Sequence, residues 1–426
     1  MASPSKKLTD VFQNSHILRE EAKTCVYFCI WKKLCPEKIF NYLTCNLNSL
    51  SQLVTFLANK ETTMVYENVL ATIGNTPLIR LDRVCKEIPG TILGKIEAFN
   101  PGHSAKDRIA LFMVENAEKQ GKIKPGDTII EATSGNTGFS LAMICGMKGY
   151  KCVLTVTSKA SQEKLALLRS MGAEVVVCPA DVAPNDPRSY YSQAEQLACD
   201  TPNSYYLGQN YDLDNSNAHY HTTGPEIWRD TEGKITHFIC CVGTGGSLSG
   251  TARYLKEQNP AIQIIGIDAY GSILKKYWET GTYDVAEIYP WKVEGLGKTI
   301  IPENVAFELI DDFVKVTDRN SAVRARQMAL KEGLMLGYSS GAALEGVFKL
   351  RKHLKPEDVV VVLMPDHGSR YLGKIYNDDW MNQQGFLPTP TDELHQTSPY
   401  SYQHLKRIYK VYRRKYSRYI RQTLKI

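Results

Sequence analysis

No apolar run in the 426 residues reaches the roughly eighteen that a membrane-crossing helix needs. The best run near the start, Val26 to Trp31, is too short for the apolar core of a secretory signal. Asp10, Glu20 and Glu21 are acids that a mitochondrial leader avoids. The eleven cysteines form no C-x-x-C pair and no metal-ligand spacing, and Cys240-Cys241 is merely vicinal. An odd number without a framework implies reduced thiols, so a cytoplasmic protein without a metal site is expected. No internal repeat of 20–50 residues is evident. The net charge of +6 belongs to the ends. Residues 1–63 carry eight Lys/Arg against five Asp/Glu, and 388–426 carry nine against two, which leaves the middle at −4. Nucleic-acid binding is therefore not expected of the middle.

The texture changes near Met64, itself a candidate second start. The chain thus divides into an N-terminal extension (1–63), a central domain (64–387) and a basic, tyrosine-rich tail (388–426). The central domain alternates strands and helices. Thr72 to Leu81 is expected to be a turn feeding a short strand, and further strands are expected at Thr91 to Glu97, Thr128 to Glu131, Cys152 to Val156, Glu174 to Cys178, Ser204 to Leu207, His237 to Val242, Gln263 to Asp268 and Val359 to Met364. Helices are expected at Gly138 to Lys148, Gln162 to Met171, Tyr190 to Ala198, Thr222 to Thr231, Leu248 to Gln258, Asn320 to Lys331 and Ala342 to His353. Such alternation with continuous apolar strands predicts α/β architecture, with parallel sheets covered on both faces. In the tail, Leu405, Tyr409, Tyr412, Tyr416, Tyr419 and Ile420 share one helical face among Lys and Arg. That pattern fits either a solvated tail or a helix on an anionic membrane or RNA.

Four stretches carry chemistry. Asn100-Pro101-Gly102-His103-Ser104-Ala105 is a turn that delivers Lys106 to a helix with Ile109, Phe112, Met113 and Ala117 on one face. Lys106 is either a solvated helix-start charge or an amine that condenses with a carbonyl cofactor. Thr133-Ser134-Gly135-Asn136-Thr137-Gly138 follows a strand and opens a helix. Its N–H groups and hydroxyls suit a carboxylate, against the alternative of an ordinary capping turn. Gly243-Thr244-Gly245-Gly246-Ser247 also lies between strand and helix and suits a phosphate. Leu248 breaks the dinucleotide fingerprint, and no G-K-[ST] follows. Gly337-Tyr338-Ser339-Ser340-Gly341 reads as a hydrolase nucleophile elbow or as a hydroxyl offered to a ring nitrogen. An elbow would need an acid and a histidine on separate loops, whereas Asp366 and His367 are adjacent.

In order, GNTPL, SAKDR, TSGNTG, GTGGS and GYSSGAA resemble the fold-type II, tryptophan-synthase-β-like enzymes that use pyridoxal 5′-phosphate. Within them the chain is similar to the cysteine synthase and cystathionine β-synthase family, over roughly 66–387. Val293 to Gly297, Gly271 to Leu274, and Pro365-Asp366 through Tyr371 to Asp379-Trp380-Met381 resemble late motifs of the second branch. Thr157 to Ser161 departs from the family's usual turn there. The resemblance implies two parallel-sheet subdomains with the cofactor between them, in a homodimer. It implies that Lys106 forms the Schiff base and then acts as acid and base. Asn136 would meet the cofactor's ring hydroxyl, Gly243, Thr244, Gly245, Gly246 and Ser247 its phosphate, and Ser339 its ring nitrogen. Thr133, Ser134, Thr137 and Gln209 would hold the substrate carboxylate. The implied reaction replaces the β-hydroxyl of L-serine by homocysteine to give cystathionine and water. The alternatives are O-acetylserine with sulfide, and a catalytically inactive binding protein of the same fold.

Overall fold

A computed structural model describes residues 65–387 apart from Ser134 and Pro184. Met64, the N-terminal extension, the basic tail and its tyrosine-faced helix lie outside the described residues. The chain divides between Glu67 and Asn68, and all that follows concerns the second unit.

Ten strands form two sheets. Leu78–Arg80 (β1), Thr91–Ile96 (β2), His237–Cys241 (β7), Gln263–Ala269 (β8), Asp312–Val316 (β9) and Val359–Met364 (β10) make a six-stranded sheet in the order β1-β2-β10-β7-β8-β9. Thr128–Ala132 (β3), Lys151–Thr157 (β4), Glu174–Cys178 (β5) and Ser204–Tyr206 (β6) make a four-stranded sheet in the order β5-β4-β3-β6. The smaller sheet is parallel throughout. In the larger one β1 runs antiparallel to β2, with Leu78 opposite Lys95. The link between them contains no helix and is too short for a parallel crossover.

The apolar strands have two faces to cover. In β10, Val360, Val362 and Met364 enter one core with Ile92, Ile96 and Ile239. Val361 and Leu363 enter another with Phe238 and Cys240. Period-two alternation thus makes the run Val359–Met364 continuously apolar because both faces are buried. The smaller sheet likewise sends Ile129 and Leu154 to one side, Ile130 and Ala132 to the other.

Eleven helices complete the described unit: Lys106–Lys119 (α1), Asn136–Lys148 (α2), Gln162–Ser170 (α3), Tyr190–Asp200 (α4), Asp214–His221 (α5), Thr223–Asp230 (α6), Gly246–Gln258 (α7), Leu274–Thr280 (α8), Asp318–Glu332 (α9), Tyr338–Leu350 (α10) and Asp378–Gln383 (α11). In α1, Ile109, Met113 and Ala117 are buried as their spacing predicts, with Phe112 half-buried. Four elements have no clear sequence signal. Helix α5 reads DNSNAHYH, a string of poor helix formers. Helices α8 and α11 are too short to display a period, and β9 lies in a loop-rich stretch.

Helices α2, α7 and α10 begin two to four residues before the expected Gly138, Leu248 and Ala342. The added residues are Asn, Gly, Ser, Thr and Tyr, which carry no apolar periodicity. All three helices have a glycine N-cap, Gly135, Gly245 and Gly337, with no side-chain cap. Uncapped first turns leave N–H donors free, an arrangement a protein interior tolerates only with other partners. Helices α2 and α7 each follow a parallel strand, β3 and β7, so their donors lie beyond those strands' C-terminal ends, whereas α10 follows helix α9.

Candidate active site

A cleft of about 1330 Å³ opens at these helix starts. It is lined by Lys106, Thr133, Asn136, Thr137, Gln209, Gly243, Thr244, Gly245, Ser247 and Ser339. Ser134 lies outside the described residues, and Gly246 sits just behind the lining as the first residue of α7.

Lys106 is the first residue of α1, and its neighbours hold it there. Asp107 accepts hydrogen bonds from the Gly102 N–H and the Ser140 hydroxyl, both at 2.5 Å. A β-carbon on Gly102 would collide with that carboxylate. The turn is also tied to the end of β10, where the Ala105 N–H donates to the Pro365 carbonyl at 2.9 Å. Arg108 is buried and not solvated. Its guanidinium donates to Glu97 at 2.7 Å and to Glu226 at 2.6 Å. The acid and base flanking Lys106 are therefore its anchors. The Lys106 amine itself makes no hydrogen bond or ion pair among the described residues. Burial lowers its pKa, against the opposing pull of Cys240, Asp366 and Glu97. A lysine so placed is readily a neutral nucleophile.

On the opposite wall, the N–H groups of Asn136 and Thr137 have no partner among the described residues. The Thr137 hydroxyl donates to Gln209 Oε1 at 2.7 Å, which brings together two residues far apart in sequence. The Gln209 amide in turn donates to Glu131 at 3.3 Å. Burial pushes the Glu131 carboxyl up to about 7, although Gln209's hydrogen bonds oppose it. Asn136 Nδ2 donates to Asp366 Oδ2 at 2.9 Å, and Arg370 donates to Asn136 Oδ1. Tyr371 completes this group with a 2.8 Å bond to Asp366. One hydrogen of the Asn136 amide remains to donate elsewhere.

The Gly243–Ser247 loop is closed on itself by its lack of side chains. A β-carbon on Gly243 would sit 2.7 Å from the Gly295 carbonyl oxygen. Gly245 has φ +95°, and a β-carbon there would collide with Val305. The N–H groups of Thr244, Gly245, Gly246 and Ser247 donate to nothing among the described residues. The Ser247 hydroxyl pairs with His219 Nε2 at 2.9 Å, and His219 Nδ1 with Thr223 at 2.8 Å. Burial, reinforced by Arg108, lowers the His219 pKa to about 3, so the ring under the loop is neutral. Together with the dipole of α7, this is a cradle for a phosphate.

Ser339 is the second residue of α10 and only 3% exposed. Its hydroxyl faces the cleft with no hydrogen bond among the described residues. Asp366 is committed to Asn136 and Tyr371, and His367 to Ser369 at 2.9 Å. Neither bonds Ser339, so no hydrolase triad is assembled. Among the described residues no cluster of His, Cys, Asp or Glu is placed to hold a metal, and no helix is long and apolar enough to cross a membrane.

A free amine, a phosphate cradle and a second set of unpartnered N–H groups fit a phosphorylated aldehyde cofactor and an amino-acid carboxylate. Sequence reasoning assigned no role in this site to Asp366, Arg370, His219 and Lys298. Asp366 was weighed only as a hydrolase acid and, with Arg370, as part of a late motif; His219 and Lys298 had no local signal.

Comparison with known proteins gives the same picture. The profile described as pyridoxal-phosphate dependent enzyme matches residues 69–366. Cystathionine beta-synthase of Dictyostelium discoideum is 39% identical over 324 residues, 76% of this chain and 64% of that protein. The Rattus norvegicus protein of the same name is 40% identical over 76% of this chain and 57% of its own length. The chain thus spans less than two thirds of these two relatives. Cysteine synthase 1 of Neurospora crassa is 37% identical over 78% of this chain and 88% of its own. A crystal structure of a hydrogen sulfide-producing enzyme from Fusobacterium nucleatum superposes with TM-score 0.66 at 36% identity, covering 72% of this chain and 98% of that one.

Proposed function

The chain belongs to the family of pyridoxal-phosphate dependent enzymes, and from that premise we propose that it replaces the β-hydroxyl of L-serine by homocysteine, giving cystathionine and water. The carrying observation is the free Lys106 amine in one cleft with two sets of unpartnered helix N–H groups, at 136–137 and at 244–247.

Bound pyridoxal phosphate supplies the electron sink that loosens bonds at the α- and β-carbons of an amino acid. The protein does the rest. The 243–247 loop holds the phosphate, and Asn136, oriented by Asp366 and Arg370, meets the ring hydroxyl. Ser339 offers the ring nitrogen a neutral hydroxyl in place of a carboxylate. That leaves the nitrogen without a strong proton partner and favours β-replacement over transamination. Thr133, Ser134, Thr137 and Gln209 orient the substrate carboxylate. Lys106 takes the proton from the α-carbon of serine, the β-hydroxyl leaves with that proton as water, and the proton of the adding thiol is delivered to the α-carbon through Lys106. Its lowered basicity suits both transfers.

The second reading, O-acetylserine with sulfide, is supported by the Neurospora relative, most of whose length the chain covers. Assaying cystathionine from serine and homocysteine against cysteine from O-acetylserine and sulfide separates them. A kcat/KM favouring the second pair would overturn the first reading. We further propose a cytoplasmic homodimer. The seven described cysteines, Cys85, Cys145, Cys152, Cys178, Cys199, Cys240 and Cys241, are all free, which supports a reducing compartment.

A further inference from the structure

The cleft holds a second amine that the reaction above does not use. Lys298 lines it, at the end of the Val293–Gly297 segment. Its backbone is fixed. The Gly297 N–H donates to Val242 at the end of β7 at 2.8 Å, and the Lys298 N–H donates to the Ser272 hydroxyl at 2.9 Å. Its side chain makes one hydrogen bond, to the amide oxygen of buried Asn210, at 2.8 Å.

The cleft's other cations are accounted for. Lys164 and Lys374 share Glu294, Arg370 donates to Asn136 and Gly102, and Lys159 is exposed. Lys298 is partly buried and has no ion pair among the described residues, as is true of Lys106 and Arg370, but Arg370 is held by two acceptors and Lys298 by one. A cation withdrawn from water without a carboxylate is costly unless a ligand completes it.

A reaction between two amino acids must seat two carboxylates. One belongs to the Thr133–Thr137 loop, which Gln209 braces. The next residue, Asn210, braces Lys298. Consecutive side chains thus serve two neighbouring positive or donor-rich positions.

We propose that Lys298 is the subsite for the carboxylate of the second reactant, the incoming thiol, so that the cleft selects an amino-acid thiol over free sulfide. This deepens the β-replacement reading and rests on it. Burial and the nearby Lys106 lower the Lys298 pKa to about 8, with Glu131 opposing. The ammonium is therefore present at neutral pH and lost as pH rises through that value.

The test uses the holoenzyme with wild-type, Lys298→Gln and Lys298→Arg chains. Binding of 4-mercaptobutanoate and of 3-mercaptopropan-1-ol is measured by calorimetry. Both probes lack an amine and so cannot enter as the first substrate; only one carries a carboxylate. Lys298→Gln is expected to weaken 4-mercaptobutanoate about tenfold or more, as for loss of a charge-assisted hydrogen bond. Lys298→Arg is expected to restore most of it, and the alcohol to bind all three chains alike. That last result also shows that the variants are folded. In wild type the ratio of the two affinities should fall above about pH 8, where thiol ionisation cancels, and should stay flat in Lys298→Arg. Unchanged affinity for the carboxylate in Lys298→Gln, or equal weakening of both probes, would overturn the subsite. Should wild type form no cystathionine while this binding pattern holds, the serine–homocysteine reading falls and the carboxylate subsite stands.

Discussion

At the scale of single residues, Lys106 and Ser339 carry most of the proposed chemistry, and each can be tested alone. Lys106 occupies the first helical position, where its amine makes no hydrogen bond among the described residues. Lys106→Ala is expected to lower turnover about a thousandfold or more while leaving the thermal midpoint nearly unchanged. Turnover within tenfold of wild type would refute the assignment. Ser339→Asp would place a carboxylate in a nearly closed site opposite the ring nitrogen, giving that nitrogen a proton partner. The cofactor's absorption spectrum is expected to shift and β-replacement to slow; an unchanged spectrum and rate would show that Ser339 faces something else. These residues were legible in the sequence because the chemistry demands a residue type within a local loop. Asp366 and Lys298 were not, because their meaning comes from partners far along the chain. Asn136 and Asp366 lie 230 positions apart, and Lys298 and Asn210 lie 88 apart.

At the scale of elements, the site is built from helix starts whose first turns lack side-chain caps, two at strand-to-helix corners and one, α10, at a helix-to-helix corner. The sequence showed the corners but placed α2, α7 and α10 late. Apolar periodicity begins only after the ligand-facing turn, which is rich in glycine and hydroxyls. Strand β9 and helix α5 escaped for other reasons. The residues of α5 are placed by tertiary contacts such as the 2.7 Å bond from Asn215 to the Gln209 carbonyl, and local propensity opposes that helix, whereas β9 (DFVKV) has strand-forming residues but lies in a loop-rich stretch. Gly245 tests the phosphate corner. Its φ of +95° and the nearby Val305 exclude a side chain. Gly245→Ala is expected to cost roughly 1–3 kcal/mol of stability. It should also raise the pyridoxal phosphate concentration for half-saturation more than tenfold, because the loop's donors must shift. Titration of the cofactor-free protein measures this. Unaltered affinity would mean that the phosphate sits elsewhere.

At the scale of the whole described unit, a buried charge cluster ties the large sheet to the lysine-bearing helix. Lys95 on β2 donates to Glu226 on α6 at 2.6 Å, and Arg108 on α1 bridges Glu226 and Glu97. Thr76 joins through a 2.7 Å bond to Glu97. At its buried centre two cations face two anions, with the more exposed Asp230 3.9 Å from Lys95, so that centre is balanced only when complete. Burial alone would raise the Glu226 carboxyl, but the hydrogen bonds and charge of Arg108, with Lys95, hold it at about 2. Its folded pKa lies below its unfolded one. Its stabilising contribution is therefore complete above about pH 4.5 and is lost as pH falls toward 2. Arg108→Met would leave two buried carboxylates facing one lysine, with an expected cost of about 3–5 kcal/mol at pH 7. Adding Glu97→Gln should recover part of that loss, since the surviving pair is again balanced. In Arg108→Met the Glu226 carboxyl loses its main partner and titrates higher, so acid should cost this variant less than wild type between pH 5 and pH 3. Urea unfolding at pH 7 and across that acid range reads all three effects. An Arg108→Met chain within 1 kcal/mol of wild type at pH 7 would show that the cluster is a tolerated burial of charge and not the tie between sheet and helix.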